Sequence, residues 1–347
     1  MKARRVNVEV FYNNKNISAA LSEYLLSVSY TDNMSNKADD LQLTLEDRQH
    51  LWQSAWFPSK GAKLNVKIIA ENWQGSSVKD LGIFEIDEIE SASPPSTVNI
   101  KAVSVPYDND LREVEKSRSW EKAELKTISN DIARSAALEL FFDTEENPVI
   151  NRIEQTEESD LKFMMRLCNS YGLAIKVQNN KLVIFDEAKF ESADALFTVL
   201  PQHYEVLQPI TGMQYIPVLG SYRFRTKLRD IYSAAHLKYT DSKTNNTIEY
   251  TFKIPDKTEL KTLELNEQVS SIAEAIRFTK KALRNKNREE TTGSFTAAGN
   301  LDFYAGMTIN VLGYGQFDGK YIITSINHQI GSGYKMSCNI RRCLNGY

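Results

Sequence analysis

Gly82-Ile83-Phe84-Glu85-Ile86-Asp87-Glu88-Ile89 and Gly319-Lys320-Tyr321-Ile322-Ile323-Thr324-Ser325-Ile326 are the two stretches on which the fold turns. In each, a glycine precedes apolar residues at the same offsets: Phe84, Ile86 and Ile89 after Gly82, and Tyr321, Ile323 and Ile326 after Gly319. Upstream, Gly61 leads Leu64 and Val66 by the spacing with which Gly306 leads Ile309 and Val311. Downstream, Val98-Asn99-Ile100-Lys101-Ala102 and Met336-Ser337-Cys338-Asn339-Ile340 alternate in the same way. Period two places apolar side chains on one face of a strand, and glycine suits the turn that starts it. The repeated spacing predicts two related β-barrel-like units, one towards each end of the chain; chance alternation is the competing explanation.

Working outward, Val6-Val8-Val10, Leu41-Leu43-Leu45 and Leu64-Val66-Ile68 extend the first unit as one-face-buried antiparallel sheet. Ser91-Ala92-Ser93-Pro94-Pro95-Ser96 turns the chain, because its prolines donate no amide hydrogen to a ladder. After Pro106 the period becomes helical: Leu125, Ile128, Ile132 and Ala136 share a face, with Ser119 as the expected N-cap. A second helix is capped by Ser159, carries the stripe Leu161, Met164, Leu167, Cys168 and Tyr171, and stops at Gly172. Leu173–Val177 and Leu182–Phe185 then flank a polar hairpin tip at 178–181. Past Tyr204, Leu237–Tyr239 and Ile248–Ile254 predict a long hairpin turning at 241–246, and a helix is expected from Glu267 to Asn287 with Val269, Ile272, Ile276 and Leu283 buried. The expectation is a mainly β protein with an α/β insert: a first β-barrel domain at 1–105, a helix-containing insert at 106–200, and a second β-barrel domain with one long helix at 201–347. Gly61, Gly82, Gly172, Gly306 and Gly319 are its structural turns.

Composition narrows the function classes. The 347 residues are 41% hydrophobic, enough for two or three domain cores. Against 42 basic residues stand 45 acidic ones, a net charge of -3, so specific nucleic-acid binding is not expected. Lys280, Lys281, Arg284 and Lys286 suit the negative end of the last helix without any ligand. The N-terminal Met1–Val10 alternates polar and apolar residues and reads as a strand, not a signal peptide. No stretch reaches the roughly 20 apolar residues of a membrane-spanning helix, so membrane insertion by this chain is not expected. Cys168, Cys338 and Cys343 are too few for a disulfide framework and read as reduced thiols of a protein made in the cytoplasm.

Leu81–Ile89, Ser119-Trp120-Glu121, Ile128–Ala133, Glu158-Ser159-Asp160-Leu161-Lys162-Phe163 and Tyr171-Gly172-Leu173 occur in an order that resembles the phage late control protein D family of baseplate hub proteins. The resemblance continues through Ala305-Gly306-Met307, Phe317-Asp318-Gly319-Lys320-Tyr321, His328 and Arg341–Tyr347, and so covers nearly the whole chain. It implies a non-enzymatic homotrimer whose six barrels form a pseudo-sixfold ring between a trimeric tail spike and a hexameric tail tube. Tail tube, spike and other baseplate proteins are the implied partners, and the bacterial cytoplasm followed by a virion or phage-like tail particle is the implied location. The competing functions are a tail-associated cell-wall-binding module and a peptidoglycan hydrolase, which loss of turbidity on purified peptidoglycan discriminates.

Candidate chemistry is sparse. His50, His203, His236 and His328 lie far apart and no nucleophile elbow or His-Glu-x-x-His helix accompanies them. His328 with Cys338 and Cys343 lacks a C-x-x-C pair or a fourth ligand for zinc. Gly313-Tyr314-Gly315 and Gly331-Ser332-Gly333 read as hairpin turns, because no phosphate-loop helix follows them. Glu157, Glu158 and Asp160 suit a helix start better than opposed catalytic carboxylates. Trp52, Trp56 and Phe57 read as core or intersubunit packing rather than a sugar platform. No catalytic residue, cofactor or metal is expected.

Overall fold

The computed structural model describes residues 4–72, 77–104, 111–112, 114–240, 245–255, 257, 260–269 and 271–347. Expected features at Met1–Ala3, the insert boundary at 105/106 and the turn residues 241–244 lie outside them.

Alternation in the N-terminal part becomes six main strands: β1 (Arg5–Tyr12), β2 (Leu25–Asn33), β3 (Asp40–Glu46), β4 (Lys63–Glu71), β5 (Ser77–Ala92) and β6 (Thr97–Val103). They lie side by side in the order β1-β4-β5-β6-β3-β2. Val10, Leu43, Leu45, Val66, Ile68, Phe84 and Ala102 point into one core and are essentially inaccessible to water. Each large aliphatic side chain so buried contributes about 1.5–3 kcal/mol.

The insert holds β7 (Glu115–Glu124), α1 (Leu125–Ser135), β8 (Glu139–Asp143), β9 (Val149–Ser159), α2 (Asp160–Ser170), β10 (Ala174–Gln178), β11 (Lys181–Phe185) and the short α3 (Glu187–Ser192). Ser119 does not cap a helix: it sits in β7 opposite Glu154 of β9, and α1 starts at Leu125 after Glu124. Alternation along Lys116–Trp120 lets the hairpin ladder extend past the serine. Ser159 does cap α2, accepting the Lys162 amide through Oγ at 3.5 Å. Trp120 stacks on Phe163 of α2 with ring centroids 5.1 Å apart. The β10–β11 hairpin turns on Asn179 and Asn180, both left-handed (φ 49° and 60°), the pattern of a two-residue type I′ turn.

The C-terminal part contributes β12 (Phe197–Pro201), β13 (Gln214–Thr226), β14 (Ala234–Thr240), β15 (Thr247–Lys253), β16 (Thr262–Leu265), α4 (Ile272–Asn287), β17 (Thr291–Ala298), β18 (Thr308–Val311), β19 (Gly319–Ile330) and β20 (Tyr334–Arg342). β12 already belongs to this sheet, pairing with β13 from Phe197, so the boundary expected at 200/201 cuts through a barrel strand. α4 starts five residues later than expected, with Ser271 Oγ accepting the Glu274 amide. Its buried line is Ala275, Thr279, Leu283 and Asn287, while Ile272 is exposed. Val269 and Leu283 are buried as expected, and Ala275 with Phe278, rather than Ile272, packs on the β14–β15–β16 sheet.

Six of these strands repeat the order of the first unit: β12-β18-β19-β20-β17-β13 takes its members in the same sequence order as β1-β4-β5-β6-β3-β2, although β12 runs parallel to β18 where β1 runs antiparallel to β4. Register repeats as well. Phe84 opposes Leu64 and Tyr321 opposes Ile309; Ile89 opposes Ile100 and Ile326 opposes Cys338. Both central strands carry a bulge at the same place, between Ile86 and Glu88 and between Ile323 and Ser325. Gly61 N–H donates to Ile86 O as Gly306 N–H donates to Ile323 O, each at 2.8 Å. The units differ in closure. In the second, β12 pairs with both β13 and β18, completing a six-stranded barrel; in the first, β1 and β2 form no ladder across the seam among the described residues. β19 also pairs antiparallel with β2 from Ser325/Asn33 to Ile330/Val28, welding the units into one continuous sheet.

Candidate assembly interface

Among the described residues, β5 and β13 each leave an edge open at the place where their counterparts β19 and β2 pair with each other. On β5 the ladder to β4 ends at Glu85, so Asp87–Ala92 carry no strand on that side among the described residues. On β13 the ladder to β12 ends at Val218, which leaves Leu219–Thr226 without a neighbouring strand on that side among the described residues. Their charges are opposite in sign. Ile89 packs on the first core while Asp87, Glu88 and Glu90 are exposed. Phe224 packs on the second core while Arg223 and Arg225 are exposed and neither forms an ion pair among the described residues. Glu88 holds Lys101 of the adjacent strand at 3.0 Å on the surface, and Glu289 lines the same groove as Arg223 and Arg225.

Buried ion clusters hold the three parts in fixed relation. Lys176 Nζ of the insert lies 2.6 Å from Asp32 Oδ1 and 3.0 Å from Asp39 Oδ1, both in the first unit. Asp32 Oδ2 accepts the amide of Ala305 from the second unit at 2.9 Å. Two carboxylates share one ammonium here, and burial, opposed by Lys176 and reinforced by Asp32, pushes the Asp39 carboxyl up to about 6. Below α3, Arg341 meets Glu187 Oε2 at 2.6 Å and Glu191 Oε1 at 2.5 Å, and Arg284 of α4 also reaches Glu191 at 2.5 Å. Lys281 faces Glu146 at 3.5 Å, so part of the basic run on α4 binds the insert.

The residues singled out for chemistry are dispersed. His328 is buried, stacks on Tyr30 and bonds Tyr334 Oη through Nδ1 at 2.8 Å; burial, then the charge of Lys79, pulls its pKa down to about 3. That imidazole is a neutral core group at ordinary pH. Cys168, Cys338 and Cys343 are buried, with burial pushing their thiols up. Among the described residues no group of three or more His, Cys, Asp or Glu side chains is placed to hold a metal ion. Asp160 is fully buried; burial opposes its ionisation, yet hydrogen bonds from Gln155 and Lys116 and the charges of Arg118 and Lys116 hold its carboxyl below the usual range. Glu158 pairs with Arg166, and Glu157 is an exposed left-handed residue at the β9 bulge. Trp52 is buried against Tyr24, whereas Trp56 and Phe57 are 44% and 55% exposed. Gly331 and Gly333 close the β19–β20 hairpin, where Gly331 N–H donates to Gly333 O. Sequence reasoning missed the two charged edges and the buried clusters; only the repeat, carried through to the strand ends, points to the edges.

Similarity to known proteins agrees with this architecture. Residues 91–334 match the family described as phage tail baseplate hub (GPD), well over half of the chain. The probable baseplate hub proteins of Escherichia phage 186 and Escherichia phage P2 are 29% and 31% identical over 172 and 171 residues. Each match covers 49% of this chain and 42% of the relative, so the chain matches less than half the length of either. In three dimensions the chain is similar to the tail protein from Neisseria meningitidis MC58, with a TM-score of 0.71 at 12% identity over 97% of this chain and 96% of that one. With two units of like strand order, an insert locked to both and a family match over residues 91–334, the chain belongs to the phage tail baseplate hub family.

Proposed function

We propose that this chain is a non-enzymatic ring subunit that trimerises in the baseplate and joins a trimeric tail spike to a hexameric tail tube. The observation that carries this reading is the repeated strand order and register of the two units. Three copies of a chain with two equivalent units present six similar faces to a sixfold tube while keeping threefold symmetry towards a spike. The units are residues 1–105, an insert, and a second barrel from Phe197, with Gly61, Gly82, Gly306 and Gly319 turning the chain at matching places. A hydrolase would need an acid–base pair in a cleft, whereas the paired buried carboxylates Asp32 with Asp39 and Glu187 with Glu191 are already held by lysine and arginine.

Native mass spectrometry of the chain alone, and co-expressed with the spike protein of the same particle, tests the reading, followed by imaging of the particle. A trimer in the co-expressed sample with threefold density at the baseplate is the expected result. A monomer in both samples and no such density overturns it, and release of peptidoglycan fragments by the purified chain would favour the hydrolase.

A further inference from the structure

We propose that the acidic edge of β5 and the basic edge of β13 pair with each other between copies of this chain, forming an antiparallel ladder in which Glu90 faces Arg225 and Glu88 faces Lys227, the residue that directly follows β13. This rests on the ring reading above and specifies the joint that closes the ring.

The register comes from the joint already present within the chain. Residues of β5 and β19 are equivalent by their ladder partners: Ile89 opposes Ile100 as Ile326 opposes Cys338. By the same criterion β13 is equivalent to β2. Leu25 opposes Leu45 and Val218 opposes Ala297, and each strand then bulges before Val28 opposes Leu43 and Tyr222 opposes Phe295. Tyr30, Thr31 and Asn33 thus correspond to Phe224, Arg225 and Lys227. Within the chain Ser325 opposes Asn33, Asn327 opposes Thr31 and His328 opposes Tyr30. Transferred to the open edges, that pairing sets Glu88 against Lys227, Glu90 against Arg225 and Ser91 against Phe224.

Two independent features agree with the transferred register. Ile89 and Phe224, the residues packed on the two cores, fall on one face of the new ladder, and the four charged residues fall on the other. Opposite charges then stand directly across from each other, the arrangement that stabilises cross-strand pairs, and like charges would meet if two acidic edges paired. Within the chain the same face is uncharged: Asn327 Nδ2 donates to Thr31 Oγ1 at 2.9 Å and to Ser29 Oγ at 2.8 Å. The charges therefore mark the joint between copies. They also blunt an edge that would otherwise template indiscriminate pairing. Because one copy offers its acidic edge and the next its basic edge, the contact is head-to-tail, and a threefold rotation between copies closes it into a ring.

The test uses the full chain co-expressed with its spike partner. Glu88→Lys with Glu90→Lys, or Arg225→Glu with Lys227→Glu, is expected to weaken trimerisation by about tenfold or more, and combining the four is expected to restore it to within about threefold. Circular dichroism of each variant separates lost assembly from lost folding. Independently, Glu90→Cys with Arg225→Cys is expected to give a covalent trimer on mild oxidation, and Glu90→Cys alone none. If the wild type trimerises while the reversals change nothing and no crosslink forms, or the cysteine at 90 captures another tail protein instead, this joint is wrong and the ring reading stands. If the wild type itself stays monomeric with the spike present and in the particle, both fall.

Discussion

Asn179, at the tip of the insert's hairpin, occupies the place where a side chain on Gly82 would begin: its Oδ1 lies 1.9 Å from the position a Cβ would take. Gly82 is also left-handed, with φ +94°, so the first unit accepts the insert only because this strand residue has no side chain. Gly82→Ala is expected to cost at least about 1–2 kcal/mol through backbone strain, plus the displacement of Asn179. Combining it with Asn179→Gly, which the left-handed backbone there tolerates, should return only the contact part. Urea unfolding of the four proteins in a double-mutant cycle measures both, and full additivity would show that the two residues do not touch in solution.

Gly172→Val tests the end of α2. The glycine has φ +65°, and an added Cβ would stand 2.9 Å from Lys281 Cβ, whose stem crosses it from α4. A β-branched residue there is expected to lower stability by at least about 1 kcal/mol, read as a drop in Tm by calorimetry. An unchanged melting curve would reject the helix-stop explanation.

Removing the ammonium from the cluster between the units should be far more damaging than removing a surface lysine. Lys176→Met leaves Asp32 and Asp39 buried without their cation, and a loss of about 3–5 kcal/mol is expected. Chemical denaturation at neutral pH checks this, with Lys181→Met, whose partner Glu139 is exposed, as a control expected within about 0.5 kcal/mol of wild type.

Asp39 also sets a pH dependence. Its folded pKa, about 6, stands above the ordinary 3.8, so the folded chain holds this proton more tightly than the unfolded chain. The stability this contributes is present in acid and is lost as pH rises from about 4 through about 6. Asp39→Asn keeps the acceptor and has no proton to release. The difference in Tm between wild type and Asp39→Asn is therefore expected to move against the wild type across that window, and a constant difference would contradict the assignment.

Arg341→Met is expected to destabilise the second barrel by about 3–5 kcal/mol, because Glu187 and Glu191 would lose the guanidinium they share in the interior. Arg284 retains Glu191 alone, so adding Glu187→Gln should recover a measurable part of the loss in the same unfolding assay.

The strands were legible because alternation is a local signal: Leu41, Leu43 and Leu45 announce their face without reference to any partner. The glycine offsets were legible for the same reason, and they foreshadowed a correspondence that the ladders repeat at Phe84 and Tyr321 and at Ile89 and Ile326. Ser119 misled because a serine before a helical pattern looks like a cap whether or not a strand runs through it. The start of α4 was missed because Ala275 and Phe278, not Ile272, meet the sheet. Lys176, Asp32 and Asp39 could not be joined from the sequence, since charged residues are ordinarily solvated and these come together only when three parts of the chain dock. Glu88 and Arg225 are outward members of amphipathic strands, and nothing in the local sequence marks the edges that carry them as open.

The ladder between β19 and β2 has a kinetic meaning. Its strands belong to one polypeptide, so that seam forms at a rate and to an extent independent of how dilute the protein is, at the entropy of closing one long loop. A newly made chain thus carries a finished seam without help from any other copy, and the curvature of its sheet is set by that seam alone.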